Sequence, residues 1–278
     1  MQKVIYLYEI HEYEEYIDQS VIDYIGEGQA ETYESYDTFE LIAFDWCDLH
    51  DVESDPTQIL LYIDDEDLFF ICENETAFKR ANECFVQAAT NEQAMYMFFR
   101  NLFKNTSRYI EGLENRVSDL DDVITSKNKT DESLREKLTD LRYEALRAKK
   151  YYEHMEFLFD EICDSDDGLI SNDSMKYFEI LRNRCIHFVS QTQSIRDYIS
   201  QVRESYQAQI GIEQNNLMKV FTMVTSIFLP LTLIVGWYGM NVKMPEFNWD
   251  YGYLFVIGLC AFVIVVWLLV SKKRNWFK

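Results

Sequence analysis

The sequence predicts an α/β cytosolic N-terminal domain with long helices, whose stalk helix continues into the first of two C-terminal transmembrane helices of a membrane homo-oligomer. Three observations carry this reading. Two uncharged runs, 220–242 and 251–270, lie near the C-terminus. An early stretch alternates β-branched and aromatic residues between polar turns. Between them, a heptad pattern without proline from Asp173 to Pro230 enters the first apolar run with no linker.

In chain order, "VIYLYEI" (4–10), "TFELIAFDWCDL" (38–49), "ILLYIDD" (59–65) and "LFFICEN" (68–74) read as strands, with "DDEDL" around Glu66 as a hairpin tip. These make a sheet region over 1–78. From about Lys79 the period lengthens, so 79–170 reads as helical. Ile110, Leu113, Val117, Leu120 and Ile124 keep spacings of three and four. After "SKNKTDE", where Thr130 offers an N-cap, Leu134, Leu138, Leu141, Ala145, Ala148, Tyr152 and Met155 do the same, which predicts an antiparallel helix hairpin. "DSDDGLISNDS" then makes a turn in which Ser171 and Ser174 supply caps. The stalk, 171–219, repeats Leu181, Cys185, Phe188, Thr192, Ile195, Ile199, Val202 and Tyr206. A helix from Asp173 to Gly239 would be roughly 100 Å long at about 1.5 Å per residue. A rod of that length needs neighbours, and copies of itself about a symmetry axis are the simplest.

Charge is distributed unevenly. The formal net charge is -22, yet residues 219–278 set Lys219, Lys243, Lys272, Lys273, Arg274 and Lys278 against Glu246 and Asp250 alone. The acidic body this leaves repels phosphate backbones, so nucleic acid is excluded as a partner, and divalent cations suit such a surface. Six cysteines without a CxxC pair point to reduced thiols. The N-terminus, short in apolar residues and flanked by acids, does not read as a signal peptide.

Each uncharged run is long enough to cross a hydrocarbon core about 30 Å thick. The external loop 243–250 permits only a hairpin of spans 220–242 and 251–271. Lys272, Lys273 and Arg274 in the basic tail 272–278 then place both termini on the cytoplasmic side of the cell membrane, with lipid around the spans. Along the first span Asn215, Met218, Thr222, Thr225, Leu229, Thr232 and Gly236 recur on one face of small, polar or flexible side chains. Such a stripe faces either other helices or water, because unpaired hydroxyls in lipid are costly. Packing between helices and a pore lining both satisfy it. Pro230 removes one backbone hydrogen bond from this helix. Two spans cannot enclose a pathway, so transport requires an oligomer.

At Tyr238-Gly239-Met240-Asn241 the chain resembles the CorA family of magnesium transport proteins. Gly239-Met240-Asn241 matches the family's Gly-Met-Asn motif, Met244-Pro245-Glu246 follows at the family spacing, and "MKVFT" (218–222), "IFLPLTLI" (227–234) and "KKR" fit as well. The match covers about residues 175–278. The resemblance implies a homopentamer with a funnel-shaped cytosolic domain, a stalk helix continuing into the pore, and an outer ring formed by Asn241. By position it implies a pore lined by Asn215, Met218, Phe221, Thr225, Leu229 and Thr232; Phe221 and Thr222 compete for one turn. It also implies regulation by intracellular Mg2+ held between acidic residues of neighbouring subunits. Ile180 stands at the stalk position where the family has its sensing carboxylate, with Glu179 adjacent. Asp64, Asp65, Asp67, Asp166 and Asp167 are further carboxylates of the body, read as surface charges.

Chemistry favours a neutral ring for this task. Mg2+ sheds water reluctantly, so a filter acting on the hydrated ion needs acceptors such as the Asn241 carbonyl oxygen in place of carboxylates. Gly239 lets the backbone turn and Met240 packs the loop. Glu246 and Asp250 either concentrate cations at the external mouth or are ordinary exposed carboxylates. The expected function is channel-like Mg2+ uptake, extending to Co2+ and Ni2+, driven by membrane potential. No enzyme activity and no cofactor beyond transported or regulatory Mg2+ is expected. Two alternatives stand beside it: a zinc transporter of the same superfamily, whose motif commonly has Ile where Met240 stands, and a membrane-anchored coiled-coil scaffold that conducts nothing.

Overall fold

The structure, a computed structural model, describes residues 1–22, 32–51, 54–126, 132–165, 169–241 and 250–273. The chain divides into two units, Met1–Tyr206 and Gln207–Lys278.

The first unit is built on a five-stranded sheet. Its strands are β1 (Gln2–Tyr6), β2 (Tyr33–Ser35), β3 (Glu40–Trp46), β4 (Thr57–Ile63) and β5 (Leu68–Cys72), in the order β1-β5-β4-β3-β2. β1 pairs with β5 in parallel and every other neighbour is antiparallel. Helices cover one face: α1 (Glu75–Cys84), α2 (Asn91–Leu102), α3 (Thr106–Ser126) and α4 (Glu132–Asp164). Phe44 and Phe70 meet Phe98 there, and Phe44 and Phe159 meet Phe99. Ile5, Leu41, Ala43, Leu60, Tyr62, Phe69 and Ile71 point to the other face, where Ile10, Ile17, Val21 and Ile22 close a second cluster. Burial on both faces explains why β4 and β5 read as nearly continuous apolar runs instead of alternating ones.

Several expected boundaries move. "VIYLYEI" is not one strand: β1 ends at Tyr6 and Leu7–Tyr13 winds into a 3-10 helix. The Glu9 carboxylate accepts from the Tyr6 N–H at 3.2 Å, so the chain turns there instead of extending. The strand expected over 38–49 stops at Trp46, and the one over 68–74 stops at Cys72. Asn74 then caps α1 by accepting from the Ala77 N–H at 2.9 Å, so the helical region opens at Glu75, ahead of Lys79. The three-residue strand β2 was too short to leave a periodic signal. Thr130, Asp166 and Asp167 lie outside the described residues.

The "DDEDL" hairpin tip uses its carboxylates internally. Asp64 Oδ1 accepts from the N–H groups of Glu66 (2.9 Å) and Asp67 (2.6 Å), and the Asp64 N–H donates to the Asp67 carbonyl at 3.0 Å. Asp67 is buried and also accepts from the Met1 amino group. Neither Asp64 nor Asp67 is the plain surface charge that their position in an acidic run implied.

α5 runs without interruption from Asn172 to Tyr238, 67 residues, and α6 spans Gly252–Lys273. Its residues to Tyr206 belong to the first unit, and Leu181, Cys185, Phe188, Ile195, Ile199 and Val202 are buried there. The start of α5 is held by Glu92 of α2. That carboxylate accepts from the Ser171 N–H (2.5 Å) and from the hydroxyls of Ser171 (3.1 Å) and Ser174 (2.5 Å). A carboxylate beside a helix N-terminus also complements the helix dipole.

Candidate ion pathway

The second unit contains the remainder of α5, from Gln207, and α6. Both helices are long and apolar enough to cross a membrane. In the apolar stretch of α5 over 220–237 the half-shielded side chains are Met223, Ser226, Ile227, Pro230, Leu231 and Ile234; on α6 over 253–270 they are Val256, Leu259, Cys260, Val263 and Trp267. Both sets recur at three or four residues, which marks one stripe per helix as the seam between them. At its centre the Trp267 indole N–H donates to Ser226 Oγ at 2.7 Å, and that hydroxyl donates onward to the Met223 carbonyl at 2.9 Å. Ser226 lies four residues before Pro230, so its own carbonyl lacks the usual helical donor. Ser226 and Trp267 do not stand out in the sequence; what the structure shows them doing is joining the two helices. Their signal in the sequence was only a lone hydroxyl facing away from the polar stripe.

The residues assigned to the pore lie away from this seam. Asn215, Met218, Phe221, Thr222, Thr225, Leu229 and Thr232 are all exposed within the single chain, Met218 at 63%, Phe221 at 65% and Leu229 at 69%. An open apolar groove of about 910 Å3 follows this side of α5, walled in part by Thr225, Leu229, Thr232, Gly236 and Met240. Thr222 donates its hydroxyl to the Met218 carbonyl at 2.8 Å, which satisfies it without a neighbour. Phe221 and Thr222 are both exposed, so the single chain leaves both on offer.

The motif sits where α5 ends. The Gly239 N–H donates to the Val235 carbonyl at 2.8 Å and the Met240 N–H to Trp237 at 3.3 Å, closing the last turn. A Cβ on Gly239 would stand 2.9 Å from the Val235 oxygen, closer than real Cβ atoms approach, so glycine is required here by contact. Immediately beyond it Asn241 is exposed, as is Asp250 at the start of the second span. Glu246 lies outside the described residues, with the rest of 242–249.

In the first unit Glu179 is exposed on α5, next to Ile180, which is also exposed. Among the described residues no group of three or more His, Cys, Asp or Glu side chains is placed to hold a metal ion. Glu40 on β3 is a different kind of carboxylate. It is 0% exposed, its Oε1 accepts from the Leu169 N–H at 2.5 Å, and its Oε2 has no hydrogen-bond partner among the described residues. Burial pushes its pKa up, with the Leu169 N–H opposing.

A sheet domain that feeds one long helix into the first of two apolar C-terminal spans, with Gly-Met-Asn at the helix end, defines a class of two-span membrane transport proteins. The family model described as "CorA-like Mg2+ transporter protein" matches residues 14–273, and the chain belongs to that family. It is 30% identical over 183 residues to the "Putative metal ion transporter YfjQ" of Bacillus subtilis strain 168, covering 66% of this chain and 57% of that protein. It is 33% identical over 109 residues to the cobalt/magnesium transport protein CorA of Thermotoga maritima, covering 39% of this chain and 31% of that one. The matched segments therefore span little more than half of the first relative's length and under a third of the second's. The fold matches the complete structure of the CorA magnesium transporter from Methanocaldococcus jannaschii with a TM-score of 0.79, at 19% identity, over 99% of this chain and 90% of that one.

Proposed function

We propose that this chain is one subunit of a homopentameric, channel-like pathway for divalent cations, principally Mg2+ and also Co2+ and Ni2+, with both termini on the cytoplasmic side. The observation that carries the reading is the face of α5 that α6 leaves uncovered. It presents Asn215, Met218, Thr225, Leu229 and Thr232 outward and ends at Gly239-Met240-Asn241. Copies of that face around an axis would enclose a pathway lined by hydroxyls and amides, with Met218 and Leu229 as apolar constrictions. Five Asn241 carbonyl oxygens at its outer end would accept hydrogen bonds from the water shell of an ion that keeps its hydration. Glu246 and Asp250 would raise the local cation concentration at the mouth. A divalent ion entering down a potential of 100 mV gains about 4.6 kcal/mol, at roughly 2.3 kcal/mol per charge, so downhill uptake needs no other energy source. Sensing of cytosolic Mg2+ at Glu179 would need a facing carboxylate from a neighbouring subunit.

The test is influx into liposomes loaded with a Mg2+-sensitive dye. Purified protein is expected to conduct Mg2+, cobalt hexaammine to block it as a mimic of the hydrated ion, and Asn241→Ala to abolish selective flux. Influx no greater than in empty liposomes would leave the conducting-nothing scaffold standing, as would undiminished flux in Asn241→Ala. The same vesicles with Zn2+ and a pH dye separate the magnesium branch from the zinc branch.

A further inference from the structure

A cavity of about 360 Å3 opens in the first unit between the end of β3, α1, the start of α3 and α4. Its size falls at the small end of the range for small-molecule sites, about 300–1,000 Å3. An adjoining hollow shares Leu49, His50, Asn105 and Tyr109 with it. The charge around them departs from that of the whole chain, in which Asp and Glu outnumber Lys and Arg by 48 to 26. Here Lys79, Arg80, Arg108 and Arg116 face only Asp48, Glu83 and Glu144. Arg116 is committed to Glu144 and Asp48 accepts from the His50 backbone N–H at 2.9 Å.

Two cations of α1 have capacity left. Exposed Lys79 makes no ion pair among the described residues. Arg80 reaches Glu83 at 3.4 Å and the Leu102 carbonyl at 3.3 Å, but its Nε is buried without an acceptor. That nitrogen is closed to the cavity, but the Arg80 side chain keeps 30% of its surface exposed and with Lys79 offers charge-assisted hydrogen bonds to an anion. The remaining wall is aromatic. Trp46, Tyr109 and Tyr151 line it, and the His50 ring stands edge-on to Tyr109 at 5.2 Å. Burial pushes the Tyr109 phenol up to about 12, so its hydroxyl stays a donor at neutral pH.

We propose that this cavity binds a nucleotide, with its phosphate on Lys79 and Arg80 and its base against the Trp46, His50 and Tyr109 rings. A bare inorganic anion would leave the aromatic wall unused, and an apolar ligand would leave the exposed Lys79 without a counter-charge. The site is built entirely from the first unit and does not depend on the transport reading.

The experiment is isothermal titration of the full-length protein in nanodiscs, with EDTA present so that no metal contributes, against AMP, ATP, adenosine and inorganic phosphate. AMP or ATP is expected to bind at least tenfold more tightly than adenosine or phosphate. Lys79→Gln, on an exposed side chain, and Arg80→Gln are expected each to weaken nucleotide binding about tenfold or more. Far-UV circular dichroism checks that Arg80→Gln remains folded. No nucleotide binding at millimolar concentration overturns the proposal. Unchanged binding in Lys79→Gln, or phosphate binding as tightly as AMP, overturns it equally.

Discussion

The two units put the same kind of residue to opposite use. In Met1–Tyr206 the large apolar side chains are inside: Phe98, Phe99 and Phe159 are fully buried against one another and against the sheet. In Gln207–Lys278 side chains no less apolar, Leu229 at 69% and Phe262 at 64%, stand exposed in the single chain. The first unit completes its own core. The second presents surface that only lipid or other copies of the chain can cover, because two helices share just one seam. A domain of the first kind responds to mutation through its packing. One of the second kind, under the proposed function, responds through whatever covers its exposed faces.

The largest effect that tests this contrast is Phe98→Ala. Removing a fully buried ring from a packed aromatic cluster is expected to cost about 3–5 kcal/mol in guanidinium unfolding of the first unit. Leu229→Ala, a large-to-small truncation at an exposed position, is expected to leave that unfolding transition in place. A comparable loss from both would break the comparison.

The seam between α5 and α6 comes next. Trp267→Phe keeps most of the ring but removes the donor to Ser226. The expected loss is about 0.6–1.7 kcal/mol, the range for a hydrogen bond between membrane helices, read from reversible unfolding in mixed micelles. Ser226→Ala should cost less in the Trp267→Phe background than alone, since the bond to Trp267 is already gone and only the one to the Met223 carbonyl remains.

The smallest effect, and one with a defined pH signature, belongs to Glu40. Its folded pKa lies above the unfolded carboxyl value because burial disfavours the charge. The unfolded chain therefore releases the proton first. Stability is lost as pH rises from about 4.3 through the raised folded value, and is level beyond it. Glu40→Gln, which retains an acceptor for the Leu169 N–H, is expected to remove that slope, so the variant gains on the wild type as pH rises. A difference between the two that stays constant from pH 4 to 8 would show that Glu40 carries its charge at no cost.

Much of this was legible locally. Charge-free runs of membrane length, strand runs bounded by turns, and heptads continuing without proline each depend on residues a few positions apart, and periodicity records them directly. The Gly-Met-Asn motif was equally readable, since Gly239 is dictated by its own helix end, 2.9 Å from the Val235 oxygen. Strand ends were less so: Glu9 turning the chain after Tyr6 and Asn74 capping α1 are single hydrogen bonds that leave no period.

By itself, then, the sequence determined the two apolar C-terminal runs, the long helix that enters the first of them, and the glycine at its C-terminal end, because each follows from local pattern and backbone sterics. Tertiary structure alone decided which face of α5 is covered by α6 and joined Ser226 to Trp267 across 41 positions. Packing also made Glu40 a buried carboxylate and gathered Lys79, Arg80, His50 and Tyr109 around one cavity. Those outcomes depend on which distant segments pack together, and packing over such separations leaves no trace in the spacing of neighbouring residues.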